Sequence, residues 1–224
     1  MIFGYLLCIP SMQSSGNLNL IQEINRLWEP VYPHLARQIQ ERYGQRDGNI
    51  LEIGPFCGLL FSLERMKIGR SFLIATFPTG MGSFFRKETE RRNVVGKIEV
   101  IETDPSLKDV DKERFDLVIF RGAFFFPSLF QVNFSAIDRV LSKNGMAFVG
   151  GGFGKYTPEG VIHEIGKRSR ELNLRIGKVE VKEEALQQEI EKSGVKEPWE
   201  ILSEGGLWVV MRKEAVSLPP TRPQ

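Results

Sequence analysis

The chain is poor in the residues that staple or ligate small folds. It holds two cysteines and two histidines in 224 residues. Cys8 and Cys57 form no CxxC pair, which argues against a zinc site and against a disulfide framework. No cluster of His, Cys and acids suggests a metal, so none is expected. Reduced thiols fit a cytoplasmic protein. Excess charge of one sign is also missing: the net charge is +2. That balance excludes an electrostatic grip on nucleic acid. The densest basic run, Arg86, Lys87, Arg91 and Arg92, is broken by Glu88 and Glu90, as on a solvated helix face. No apolar stretch reaches the ~20 residues of a membrane span. The start, MIFGYLLCIP, lacks a basic leader and a cleavage site, so it does not read as a signal peptide. It is expected to dock on the domain or on a second copy of the chain, giving a homodimer through this segment.

What is present is a globular composition, with 42% hydrophobic and 26% charged residues. A chain of this length buries a full core without staples. After a polar turn over 11–19, Leu20, Ile21, Ile24, Leu27 and Trp28 recur at helical spacing, then Leu35, Ile39 and Tyr43. Pro30 and Pro33 divide these into two helices, because proline cannot donate the helical hydrogen bond. From Asn49 short apolar runs alternate with helical stretches. Strands are expected at 49–54, 71–77, 97–102, 112–120, 146–154, 175–182 and 207–213. Helices are expected at 57–69, 81–93, 127–145, 157–173 and 184–194. The tail SLPPTRPQ reads as disordered. The resulting parts are an apolar segment and helical cap (1–48), an α/β domain (49–213) and a tail (214–224). Strands alternating with helices imply a mainly parallel sheet, with ligands outside the carboxyl ends of its strands.

Ile50 to Gly58, ILEIGPFCG, is a buried strand ending in an acid, then a glycine turn opening a helix. Glycines there permit a sharp turn and close approach of a ligand to the backbone. Arg121 ends a strand that should be buried, so its charge is either paired or faces a cleft. Phe124, Phe125 and Phe126 follow; they are either core or the wall of an apolar pocket. Asp104, before Pro105, also suits a turn. Asp116 reads as structural, His163 as exposed, and Cys57 as a small turn residue without a basic partner.

In this order the motifs resemble class I S-adenosylmethionine (SAM)-dependent methyltransferases over about 49–213. ILEIGPFCG resembles their first motif. IETDP (101–105) lies where an acid approaches adenine. FDLVIFRG (115–122) resembles their fourth strand and substrate-side loop, and DRVLSKNG (138–145) the turn before their fifth strand. GGGFG (150–154) resembles a glycine-rich end of that fifth strand. GLWVV (206–210) resembles their antiparallel last strand. The resemblance implies a Rossmann-like three-layer α/β sandwich with a seven-stranded sheet and N-terminal helices. It implies SAM as cofactor, contacted by Glu52, Gly54, Pro55, Phe56, Gly58, Thr76, Asp104 and Arg121. Glu52 would support either the loop or the ligand. Trp28, Tyr32 and His34, on helices that often cover the active site, would touch a small acceptor together with Phe124, Phe125 and Phe126.

Two positions depart from the family pattern. Phe56 replaces the middle glycine, which puts a ring in the cofactor's path unless it rotates away. The second strand ends in Thr76-Phe77, without the acid that binds both ribose hydroxyls. Losing one charge-assisted hydrogen bond, worth roughly 1.5–3 kcal/mol, weakens binding by about one to two powers of ten. Two functions follow: SAM-dependent methyl transfer to a small, partly apolar acceptor, or a methyltransferase-fold module that has lost SAM. A nicotinamide dehydrogenase is disfavoured by Phe56 and the missing acid.

Overall fold

The computed structural model describes residues 15–214. The apolar start, with its docking and dimerisation reading, lies outside the described residues, as do the last ten residues. Among the described residues no helix is long and apolar enough to cross a membrane.

Helix α1 (Ser15–Leu27) and α2 (Tyr32–Tyr43) come first. Pro33 sits in the first turn of α2, where its missing N–H costs nothing, and Gly44 closes it in the left-handed conformation. Ser15–Asn19, expected in a turn, instead form the first turn and more of α1. The α/β part then runs β1 (Asn49–Ile53), α3 (Leu59–Arg65), β2 (Ser71–Thr76), α4 (Met81–Arg91), β3 (Ile98–Glu102), β4 (Phe115–Arg121), α5 (Phe134–Val140), β5 (Leu141–Gly151), α6 (Glu159–Ile176), α7 (Glu183–Ser193), β6 (Trp199–Leu202) and β7 (Leu207–Arg212).

The seven strands form one sheet of order β3-β2-β1-β4-β5-β7-β6. β1 to β5 run parallel to one another, while β7 pairs antiparallel with both β5 and β6. The direction of winding reverses between β1 and β4. That reversal opens a crevice outside their carboxyl ends. The inner strands are buried along nearly their whole length, as expected of a parallel sheet covered on both faces. Leu35, Ile39 and Tyr43 of α2 and Ile21 and Ile24 of α1 belong to the same core as the sheet. The helical pair is thus continuous with the α/β domain.

Two further expectations are corrected. The run 127–145 is not one helix: Asn133 accepts a hydrogen bond from the Ala136 amide at 3.0 Å and starts α5 there. The chain then turns extended at Leu141, which pairs with Phe115. The run 175–182 is not a strand either. α6 continues through Ile176 and ends on left-handed Gly177. After it, Lys178 N–H donates to the Asn173 carbonyl and Val179 N–H to the Phe125 carbonyl, both at 2.9 Å. The edge of β5 that such a strand would need is taken by β7. The sixth strand is Trp199–Leu202 instead.

Where β5 meets β7, the two backbones touch. A Cβ on Gly150 would lie 2.2 Å from the Leu207 carbonyl oxygen, and one on Gly152 would lie 2.3 Å from the Gly206 Cα. Only glycine allows that approach.

Candidate functional site

The glycine turn after β1 is filled by the protein's own groups. Glu52 is fully buried. Its carboxylate accepts the amides of Gly58 (2.9 Å), Leu59 (3.3 Å) and Leu60 (3.1 Å), the orphan donors at the start of α3. Burial pushes its pKa up, against the charge of Arg121 and those three amides. The Thr76 hydroxyl donates to the Gly54 carbonyl at 2.9 Å, and the Cys57 thiol donates to the same oxygen. Burial holds that thiol well above its ordinary pKa, so it is no nucleophile. Asn25 of α1 donates to the Pro55 carbonyl at 2.8 Å.

Both glycine faces are covered by rings. A Cβ on Gly54 would lie 2.7 Å from Phe120, and one on Gly58 would lie 2.7 Å from Tyr32. The Tyr32 hydroxyl donates to the Asn25 carbonyl at 3.1 Å. Burial pushes its pKa up to about 12, against the nearby Arg121 charge. At the end of β2 stands Phe77, packed edge-on against Phe120 and Phe130. Asp104 is exposed and accepts the Ser106 amide at 2.7 Å, closing its own turn. Glu102, one turn earlier, accepts the Gly80 and Gly82 amides and caps α4.

The polar groups of this turn are therefore bonded to one another in this arrangement. Glu52, Gly54, Gly58, Thr76 and Asp104 were expected to contact the cofactor. Each is engaged within the protein, and among them Gly58 also lines a small crevice of about 10 Å³ beside Tyr32 and Cys57.

A cavity of about 400 Å³ opens instead outside the carboxyl ends of β4 and β5, within the size range of small-molecule sites. Arg121 and Gly122 come from β4 and its loop, Phe125 and Phe126 from the same loop, and Gly151, Gly152 and Phe153 from the end of β5. Ile24 of α1 and Trp28, the residue after that helix, form one side. Ser169, Arg170 and Asn173 of α6, with Lys178 to Glu180, form the roof. Trp28 stacks on Phe153 with centroids 4.7 Å apart, and its indole N–H donates to the Ser169 hydroxyl at 2.8 Å. That bond ties α1 to α6 across the cavity.

Of the first-motif residues, Phe56 alone lines the cavity. Its ring is 2% exposed and lies 4.6 Å from Phe126. It also lies against Gly122, where a Cβ would meet it at 2.6 Å. The ring has thus turned from the glycine turn toward β4 and forms the wall between turn and cavity.

Arg121 is 5% exposed. Its guanidinium lies over Tyr32 at 4.5 Å and Trp28 at 5.2 Å. Its Nη1 has no hydrogen-bond partner, and no carboxylate lies within ion-pair distance among the described residues.

The structure thus brings together Trp28, Phe56, Arg121, Phe125 and Phe126 of the expected site. Tyr32 supports Arg121 from behind. Phe124 is core, packed on Phe134, and His34 is partly buried without lining the cavity. Asp116 bonds the Asn49 amide and the Ser142 hydroxyl, and His163 is exposed; both match expectation. Phe153, Ser169 and Asn173 were missed. Ser169 and Asn173 stand four apart on the buried face of α6, a placement that only the fold reveals. Among the described residues no group of His, Cys, Asp and Glu could hold a metal.

No family model and no curated protein matches the chain. Solved structures do. One is assigned as an S-adenosyl-L-methionine-dependent methyltransferase from Methanococcus maripaludis. It has 22% identity and a TM-score of 0.70, over 90% of this chain and 94% of that one. A SAM-dependent methyltransferase from Aquifex aeolicus has 12% identity and a TM-score of 0.55, over 86% and 96%. A geranyl diphosphate C-methyltransferase from Streptomyces coelicolor, solved with S-adenosyl-L-homocysteine, has 12% identity and a TM-score of 0.53, over 79% and 73%. The sheet order, the antiparallel β7 and these likenesses together give the chain the Rossmann-like fold of the class I SAM-dependent methyltransferases.

Proposed function

We propose that the protein transfers a methyl group from SAM to a small, partly apolar acceptor held in the β4–β5 cavity. The observation that carries this reading is the position of Phe56. It belongs both to the glycine turn after β1 and to the cavity wall. One side chain therefore separates the turn from the cavity, and its rotation would join them in a single cleft at the switch point of the sheet. SAM supplies an electrophilic methyl group at its sulfonium centre. The chain's own part is to bind and align: Trp28, Phe125, Phe126 and Phe153 give apolar walls, and their packing excludes water. Direct displacement depends mainly on alignment, so the reading requires no general base from the lining.

A second reading has its own support. The glycines of the turn are covered by Tyr32 and Phe120, and Thr76 is spent on Gly54. These contacts favour a binding module that keeps the fold without using SAM.

Calorimetry of SAM and S-adenosylhomocysteine, with wild type and Phe56→Gly, separates the two. Micromolar binding by wild type supports methyl transfer. Binding only after Phe56→Gly supports the module with a closed turn. Binding by neither folded protein removes SAM from the account.

A further inference from the structure

We propose that the cavity ligand carries one carboxylate, anchored by the guanidinium of Arg121. The proposal rests on reading the cavity as the acceptor site. It begins from an imbalance. A guanidinium stays charged at any pH the fold survives. Arg121 is 5% exposed, its Nη1 lacks a partner, and among the described residues no acid side chain pairs with it. A buried charge is normally paired, because desolvation is costly and half-satisfied groups are costlier still.

The surroundings do not supply the missing anion. Tyr32, with its pKa at about 12, is neutral at physiological pH. The charge of Glu52 reaches Arg121 only at a distance: both its oxygens are taken by the α3 amides, and it makes no ion pair with the guanidinium. The rings of Tyr32 and Trp28 face the guanidinium and steady it, but a ring quadrupole does not neutralise a charge. Three cations, Arg121, Arg170 and Lys178, line the cavity against one acid, Glu180. Of these cations only Arg121 is buried.

One buried guanidinium matches one planar monoanion, and a carboxylate meets its fork through two parallel bonds. The rest of the wall is aromatic: Trp28, Phe56, Phe125, Phe126 and Phe153. A flat apolar body with a carboxylate at one end fits that chemistry.

The test uses 2-naphthoate and its neutral isostere 2-naphthamide, titrated into wild type and Arg121→Met by ligand-observed NMR and calorimetry. Wild type should bind the acid roughly ten- to a hundredfold tighter than the amide, the range expected for a hydrogen bond to a charged group. Arg121→Met should erase that preference and leave amide binding as it was. Equal binding of acid and amide by wild type, or no binding of either, would overturn the proposal without reference to the variant. A second arm separates two sources of carboxylate, the acceptor and the cofactor's own amino-acid end. Acid binding that persists under saturating S-adenosylhomocysteine supports the acceptor. Displacement by S-adenosylhomocysteine, with loss of that ligand's binding in Arg121→Met, assigns the guanidinium to the cofactor and sinks the proposal. If SAM and its product do not bind at all, the acid–amide comparison still stands.

Discussion

Gly58→Ala asks whether the first-motif glycine serves a ligand or the protein's own packing. At Gly58 φ is +148°, and a Cβ would lie 2.7 Å from the Tyr32 ring. The ring cannot swing aside freely, because its hydroxyl is bonded to the Asn25 carbonyl. Rare backbone conformations cost ~1–3 kcal/mol and overpacking a core another ~1–3 kcal/mol, so the variant should lose about 2–6 kcal/mol. In a domain of this size that lowers Tm by roughly 5–20 °C. Urea denaturation and calorimetric melts measure the loss. Tyr32→Leu removes the far ring atoms that the new methyl group would strike. In that background only the backbone strain should remain, leaving a coupling of ~1–3 kcal/mol in the double-mutant cycle. A Gly58→Ala protein within about 1 kcal/mol of wild type, yet unable to bind SAM, would refute this account and return the glycine to the ligand.

Two other outcomes follow from the same contacts. Thr76→Val should cost ~1 kcal/mol through the lost bond to the Gly54 carbonyl and leave S-adenosylhomocysteine affinity within about twofold; a tenfold loss of affinity would mean that the hydroxyl faces the ligand. Tyr32 makes stability alkali-sensitive. Its pKa is raised in the fold from 10.0 to about 12, so the stabilisation is whole below pH 10 and is lost as pH rises through 12. The loss is about 3 kcal/mol at 1.36 kcal/mol per unit. Unfolding free energies of wild type and Tyr32→Phe between pH 9 and 12 should diverge in slope, and parallel curves would contradict the burial argument.

The parallel strands were legible because a strand buried on both faces is a continuous apolar run, as in ILEI and LVIF. The division of α1 from α2 was legible through Pro30 and Pro33. The alternation in Lys178–Lys182 misled because period two marks a strand only where a sheet edge is free, and β7 holds that edge. WEIL was missed because four residues carry too little pattern. In the site, Arg121 was found from one physical anomaly, a charge at the end of a buried strand. Glu52 and Thr76 look alike on the page whether they face a ligand or brace a turn. Their hydrogen-bond partners decide: the Gly58, Leu59 and Leu60 amides for Glu52 and the Gly54 carbonyl for Thr76. Ser169 and Asn173 stayed hidden because helix α6 reaches the cavity only through the fold.

The glycine contact between β5 and β7 gives the cavity two unequal halves. Its floor, Gly151 to Phe153, leaves the sheet where backbone rests directly on backbone, with no side chain in between to yield. Its roof is one helix and a short extended stretch, joined to the floor side by the Trp28–Ser169 bond and the Val179–Phe125 bond. Compliance is therefore one-sided. A ligand longer than the cavity would therefore displace the roof before the floor, because the end against β4 and β5 would meet backbone resting on backbone.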